Sequence, residues 1–424
     1  MGTWALSQAQ ALVRQGIDVQ VVSFTSWVPN AIALTPGAKA YAHCPPTHHW
    51  PGGVVAHYPR WLYYPVPPFK QWAYKTPTPY LTLAWQSAQR QLRQLMHQYQ
   101  PDVVFCHHSL PNGWLITRLM AQLPRDQQRP VIILEHDFDE IADCSRYRDR
   151  RSAMHPVTTQ ASAWLAVSNR MATDMRSLFP HANVLTHHNG VDLPPTHLTQ
   201  TPRPPDLQHK KVILACALFA ERKGVPLLIK AFHHIVHHHP DAVLRIIGSG
   251  PEQDTIEQTI SQLHLKQQVQ LVGRKPHDEV LQEMAWADCF ALVGWDEPFA
   301  TVYLEAMAAG QPILCCQDGG IMDVIQHEVH GLTVPPKDRA ATAIALNTLL
   351  SNNDQRQQWG KNAQQLIQRS LTWDAKATAL IELFQQFQKS PNQPSSESPN
   401  QSSGTLPKPS PEKSPDQQLH TSRT

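Results

Sequence analysis

The 424-residue sequence predicts an α/β protein of two lobes, each built on a parallel, doubly wound sheet. Three observations carry this prediction. Short apolar runs recur at helix-length intervals, the alternation restarts midway after a Pro- and Thr-rich stretch, and the length suits two ordinary domains plus a tail.

Residues 4–15 have helical apolar spacing, and 18–24 (DVQVVSF) read as a buried strand. Strand-like runs follow at 103–106 (VVFC), 131–134 (VIIL) and 163–167 (AWLAV), each a helix length from the next. Residues 194–208 read as a linker. Further strands are expected at 211–217, 242–248, 269–273, 289–293 and 312–316, and a last helix at 373–388. From 389 to 424, Ser, Pro and Gln dominate without apolar periodicity, a composition that stays disordered. The expected partition is a first lobe over 1–193, a linker over 194–208, a second lobe over 209–370, a closing helix over 371–388 and a tail over 389–424.

With 36 Lys and Arg against 34 Asp and Glu, the formal charge of +2 gives no bulk attraction to nucleic acid, and 41% hydrophobic residues exclude wholesale disorder. The seven cysteines are odd in number, scattered and never spaced as C-x2-C, so reduced thiols and a cytoplasmic location are expected. No apolar run reaches the length of a membrane span, which leaves peripheral contact with the inner membrane face as the mode of membrane association still open. His233, His234 and His237 to His239 place histidine pairs at i,i+4, a metal-ligand spacing, but no acid or cysteine nearby completes a set. A solvated histidine face and no metal site are expected. The aromatic- and proline-dense stretch from Cys44 to Trp85 reads either as an acceptor platform or as a long loop packed on its own lobe.

The most informative segment runs from Asp296 to Pro312 (DEPFATVYLEAMAAGQP). A helix is expected to open near Pro298, with Glu297 just ahead of it and Glu305 two turns inside. The free N–H groups of a helix start attract an anion. Two carboxylates beside such a site repel a bare phosphate, and they fit only if they accept hydrogen bonds from hydroxyls of the same ligand. A sugar nucleotide carries both parts.

The same run resembles the Glu-x7-Glu signature of retaining glycosyltransferases, and its Glu-Pro-Phe-x5-Glu-Ala-Met-Ala-x-Gly-x-Pro pattern is similar to glycosyltransferase family 4 (group 1). The resemblance implies the GT-B fold of two Rossmann-like lobes around a cleft. It implies that Glu305 holds the ribose hydroxyls of a nucleotide-sugar donor and Glu297 contacts the transferred sugar. Phe299, Ala300, Thr301 and Val302 then line the donor, with Ala300 standing where the family usually has Gly, so that its methyl group is expected to crowd the ligand. Lys223, in Ala220–Val225, matches the lysine that neutralises the donor diphosphate. The family's second cation falls at Leu218, which leaves Arg222 either as its substitute or as a solvated residue on the helix surface. Gly248 belongs to the strand-end glycine turn, Arg274 to the segment whose backbone reads the base, and His136 to the family's cleft histidine that contacts the sugar. A retaining, metal-independent hexosyltransferase of polysaccharide biosynthesis is implied, with no cofactor. Its donor is a nucleotide-diphosphate sugar and its acceptor an unspecified glycan, lipid or small-molecule hydroxyl. The family begins with a strand and a Gly-rich loop before the helix at Trp4, whereas only Met1, Gly2 and Thr3 precede it here, so the first strand is expected upstream of Met1. Leu218, Ala300 and that short start also leave open a degenerate, non-catalytic relative that binds a sugar nucleotide or a partner.

Overall fold

Residues 3–63 and 69–389 are described by the structure, a computed structural model. The predicted tail beyond Lys389 lies outside the described residues. In the first lobe, short strands come first: β1 (Gln20–Val22), β2 (Thr25–Ser26), β3 (Thr47–His49), β4 (Val55–His57) and β5 (Arg60–Trp61). β1 runs parallel to β4 with β3 antiparallel beyond it, while β2 pairs with β5. A deeper sheet takes β6 (Val104–His107), β7 (Val131–Glu135), β8 (Ala163–Ala166) and β9 (Val184–Thr186) in sequential order, all parallel.

The single doubly wound sheet expected for this lobe is therefore divided, and the burial of its strands shows why. Every residue of β7 and β8 is buried, as strands covered on both faces require, whereas β1 keeps only three residues of its predicted seven and none is fully buried.

The second lobe is one six-stranded parallel sheet made of β10 (Lys211–Cys216), β11 (Ala242–Ile247), β12 (Val269–Gly273), β13 (Cys289–Ala291), β14 (Ile313–Cys316) and β15 (Gly331–Val334). Their spatial order is β12-β11-β10-β13-β14-β15, the doubly wound order in which the chain reverses direction across the sheet between β10 and β13. Ligands of such sheets bind beyond the carboxyl ends of the strands at that switch point. The turns after β10 and β13 carry Lys223 and Glu297.

The segment read as a linker is packed. Thr196–Thr199 form a helical turn, Leu207 is buried, and the Trp286 indole N–H donates to the Thr201 carbonyl at 3.0 Å. The chain then returns through a helix at Trp373–Lys389, which lies along the first helix, Thr3–Arg14. Arg14 pairs with Asp374 at 2.7 Å, and the Gln15 amide donates to the Asp374 carbonyl at 2.6 Å. All seven cysteines are free thiols and five are buried.

Candidate active site

Lys223 closes a single 3-10 turn, Glu221–Lys223, just after β10. Its ammonium donates to Glu297 Oε2 at 2.7 Å, joining the turns after β10 and β13 across the switch point. Glu297 is 3% exposed. Its other oxygen, Oε1, is buried, lies 3.9 Å from Arg222 Nη1 and accepts no hydrogen bond from the described residues. Arg222 also donates to the Asp296 carbonyl at 3.3 Å, so it lies against the acidic loop with its side chain still 39% exposed.

The helix expected at Pro298 opens instead at Thr301, with Ala300 as its uncapped N-terminal residue. Glu305 is therefore little more than one turn inside it, and Thr301 and Val302 form its tip. A neighbouring loop accounts for the late start. The Gly320 N–H donates to the Glu297 carbonyl at 2.8 Å, and Gly320 lies so close beneath Pro298 that an added Cβ would fall 1.7 Å from the Pro298 oxygen. This contact holds 297–300 outside the helix. Ala300 itself is at φ −69, ψ 111, a conformation open to any residue, so the backbone there does not require glycine.

Glu305 is mostly buried and meets a residue the sequence reading passed over: His277 Nε2 lies 3.1 Å from Glu305 Oε1. The hydrogen bond to Glu305 raises the His277 pKa, against the effect of partial burial. In the sequence, the only sign of this contact is a histidine directly after Pro276 at the start of a helix, 28 residues before its partner.

Gly248 stands at φ +141 where β11 ends, and a Cβ there would lie 1.9 Å from the Ala217 oxygen, so only glycine allows the two strand-end turns to cross. Arg274 is exposed just past β12. Phe299 is buried and stacks on His188 of the first lobe at 5.0 Å. His188 Nε2 also lies 2.9 Å from Asp323 Oδ2, and Arg170 pairs with Asp296 at 2.6 Å, so an ion pair, a further polar contact and a ring stack tie the acidic loop region to the first lobe.

His136 occupies a separate cluster at the ends of β6 and β7. Its Nε2 lies 3.0 Å from His107 Nδ1, and its ring lies 4.5 Å from the Trp4 indole. Burial, then the charge on His108, push its pKa down to about 4. Burial also holds His107 well below its ordinary value, and burial together with Lys376 brings His187 down to about 3. His108 goes the other way: burial opposes its charge, but Glu135 Oε1 at 3.4 Å outweighs it and raises the pKa. The fully buried Glu135 carboxylate also accepts from the Ser109 and His136 backbone N–H groups at 2.9 Å, fastening both loops.

These shifts have a sign that can be checked. Three imidazoles held neutral in the fold bind fewer protons than in the unfolded chain, so their stability contribution is complete above about pH 6.5 and shrinks on acidification. Thermal unfolding should show a midpoint that falls as pH drops below 6.5, because stability is lost at up to about 1.4 kcal/mol per imidazole per pH unit and only one such increment is offset by Glu140, whose pKa burial raises to about 7. A flat midpoint between pH 6.5 and 4.5 would contradict neutral His107, His136 and His187.

Among the described residues, no three His, Cys, Asp or Glu side chains converge as a metal site. The histidine helix ends at Ile235, His237 and His238 sit on a separate 3-10 turn, and His239 is buried against Asn347 at 2.9 Å. No helix among the described residues is long and apolar enough to cross a membrane.

Comparison with known proteins bears on this arrangement. Residues 1–194 match the model of Glycosyltransferase Family 4, and residues 200–366 that of Glycosyl transferases group 1. An uncharacterised glycosyltransferase of Methanocaldococcus jannaschii is 28% identical over 298 residues, covering 67% of this chain and 75% of that protein. Sucrose-phosphate synthase from Thermosynechococcus elongatus superposes with a TM-score of 0.71 at 20% identity, covering 91% of this chain and 92% of its own. Anabaena HepE, solved with UDP and glucose, gives a TM-score of 0.64 at 19% identity, with 91% and 96% covered. The two solved structures show the fold to be GT-B, and the two family models between them span both lobes. The chain is a glycosyltransferase and belongs to group 1, family 4.

Proposed function

We propose that this glycosyltransferase moves a sugar, with retention of anomeric configuration and without a divalent ion, from a nucleoside-diphosphate sugar to an acceptor hydroxyl. The observation that carries the reading is the pairing at the switch point: one carboxylate, Glu297, shares a cation with the anion site and keeps a buried oxygen unpaired. Leaving a buried acceptor unpaired costs about 1–3 kcal/mol. A sugar hydroxyl donating to Glu297 Oε1 removes that cost, and a diphosphate beside Lys223, Arg222 and the N–H groups of Thr301 and Val302 takes over the cation. HepE, a relative in fold, binds UDP and glucose, which supports a nucleotide-sugar donor here.

In the proposed reaction the bond between the anomeric carbon and the diphosphate oxygen breaks, and negative charge builds on the diphosphate, where Lys223 stabilises it. The acceptor oxygen bonds to that carbon from the same face, and its proton passes to the departing diphosphate. Glu305 holds the ribose hydroxyls, Gly248 lets the backbone approach the donor, and Arg274 borders the base. Phe299 and Ala300 shape the wall beside the sugar. His136 supplies a neutral imidazole to the sugar from the first lobe. The decisive experiment is incubation with a panel of UDP-, GDP- and ADP-sugars, with product configuration read by NMR. Retained configuration from one donor supports the reading. Inversion, or no turnover with every donor, defeats it.

His277 extends the proposal as a positioning residue for Glu305. His277→Ala should raise the donor KM about two- to fivefold and leave kcat nearly unchanged, a modest effect because the His277 side chain is 47% exposed. Because the pKa of His277 is raised, its help is complete at lower pH and lost as pH rises through that value. The wild-type KM should drift upward over that range, and the drift should vanish in the variant.

A further inference from the structure

One part of the first lobe has no role in this chemistry. Between Asp18 and Asp102 the chain holds no carboxylate side chain, yet six of its 36 Lys and Arg fall there, leaving 30 against all 34 acids elsewhere. Charge is thus segregated along the sequence beneath a nearly neutral total. Among the described residues, eight of the eleven exposed large hydrophobic side chains also lie between Val22 and Leu83. Ile32 is 64% exposed, Leu34 83%, Phe69 57% and Trp72 47%.

The elements that carry these side chains are joined through β5. The Arg60 guanidinium donates to the carbonyls of Tyr41, Ala42 and Cys44, fastening the helix Pro36–His43 to that strand, and the Asn30–Ile32 turn packs on the same helix. From Trp61, also in β5, ring contacts run through Tyr63 at 4.8 Å and Tyr80 at 4.5 Å to Trp72 at 6.4 Å, on the helix Phe69–Lys75. Lys39, Lys70 and Lys75 are exposed on these same two helices.

We propose that this surface docks on an anionic lipid bilayer. Aromatic and aliphatic side chains interleaved with lysines match the headgroup boundary, where apolar groups enter the acyl region and the ammonium groups stay with the phosphates. The charge pattern argues against the other occupants. A second copy meeting this face about a two-fold axis would set Lys39, Lys70 and Lys75 against the same lysines, with only the half-buried Asp143 and Asp149, already accepting from Tyr74 and Thr78, to compensate. A nucleic acid would satisfy the lysines but offers nothing to Leu34 or Ile32. The proposal stands apart from the donor chemistry and survives any outcome of the donor panel.

Flotation of the full chain with vesicles tests it. Partitioning onto equimolar phosphatidylcholine and phosphatidylglycerol should be at least about tenfold stronger than onto phosphatidylcholine alone, and should weaken with salt. Lys39→Glu with Lys70→Glu and Lys75→Glu should abolish the preference. Ile32→Ser with Leu34→Ser should weaken binding to both vesicle types, and unchanged melting midpoints would show that both variants fold. Equal partitioning on the two lipids, absence from both, or variants that float like the wild type would overturn the proposal. So would a dimer, seen by light scattering, that the Ile32 and Leu34 substitutions dissolve.

Discussion

Replacing Lys223 by Ala should lower kcat by about a hundred- to a thousandfold, the loss that follows removal of one donor aimed at developing negative charge. The ammonium lies at the switch point of the six-stranded sheet, 2.7 Å from Glu297, so the substitution acts on the fold as well. Lys223 and Glu297 have side chains only 17% and 4% exposed. Breaking a fully buried ion pair costs about 3–5 kcal/mol. The small remaining exposure of the lysine and the proximity of Arg222 bring the expected destabilisation nearer to about 2 kcal/mol. The two effects separate in a double variant. Lys223→Ala combined with Glu297→Gln removes the stranded charge, so it should recover part of the lost melting temperature and none of the lost turnover. Full recovery of turnover in the double variant would show that the lysine acts through Glu297 alone and never on the donor.

Glu305→Ala should act mainly on donor binding. A carboxylate accepting hydroxyl hydrogen bonds contributes about 1.5–3 kcal/mol per bond, so affinity for a nucleoside diphosphate that carries its ribose should fall about ten- to a hundredfold. The fold should tolerate the change, because His277, the partner left behind, is half exposed and water can replace the carboxylate. Titration calorimetry of UDP against wild type and variant reads the difference directly, and equal affinities would remove Glu305 from the ribose.

Much of this was legible in the sequence for definite reasons. The buried strands announced themselves as apolar runs such as VIIL and AWLAV, because a parallel sheet covered on both faces leaves no polar alternation. Two-sided burial also makes the second lobe far more legible than the first, whose leading strands are two or three residues long and range from buried to fully exposed. Lys223 and Glu297 could each be marked by a local pattern. Their mutual contact could not, because 74 residues separate them and only the strand order brings β10 beside β13. The helix start is hidden from local sequence for a similar reason. Pro298 suits a first helical position, but Gly320, from another turn, holds it outside the helix. His277 is marked only by its place after Pro276 at a helix start, since its partner comes from a different helix.

The crystal structure of a complex with UDP tests the central claim most directly. The expected result is a diphosphate between Lys223 and the N–H groups of Thr301 and Val302, with both ribose hydroxyls about 3 Å from Glu305. A nucleotide bound elsewhere, with Lys223 still on Glu297 and Glu305 still on His277, would contradict it.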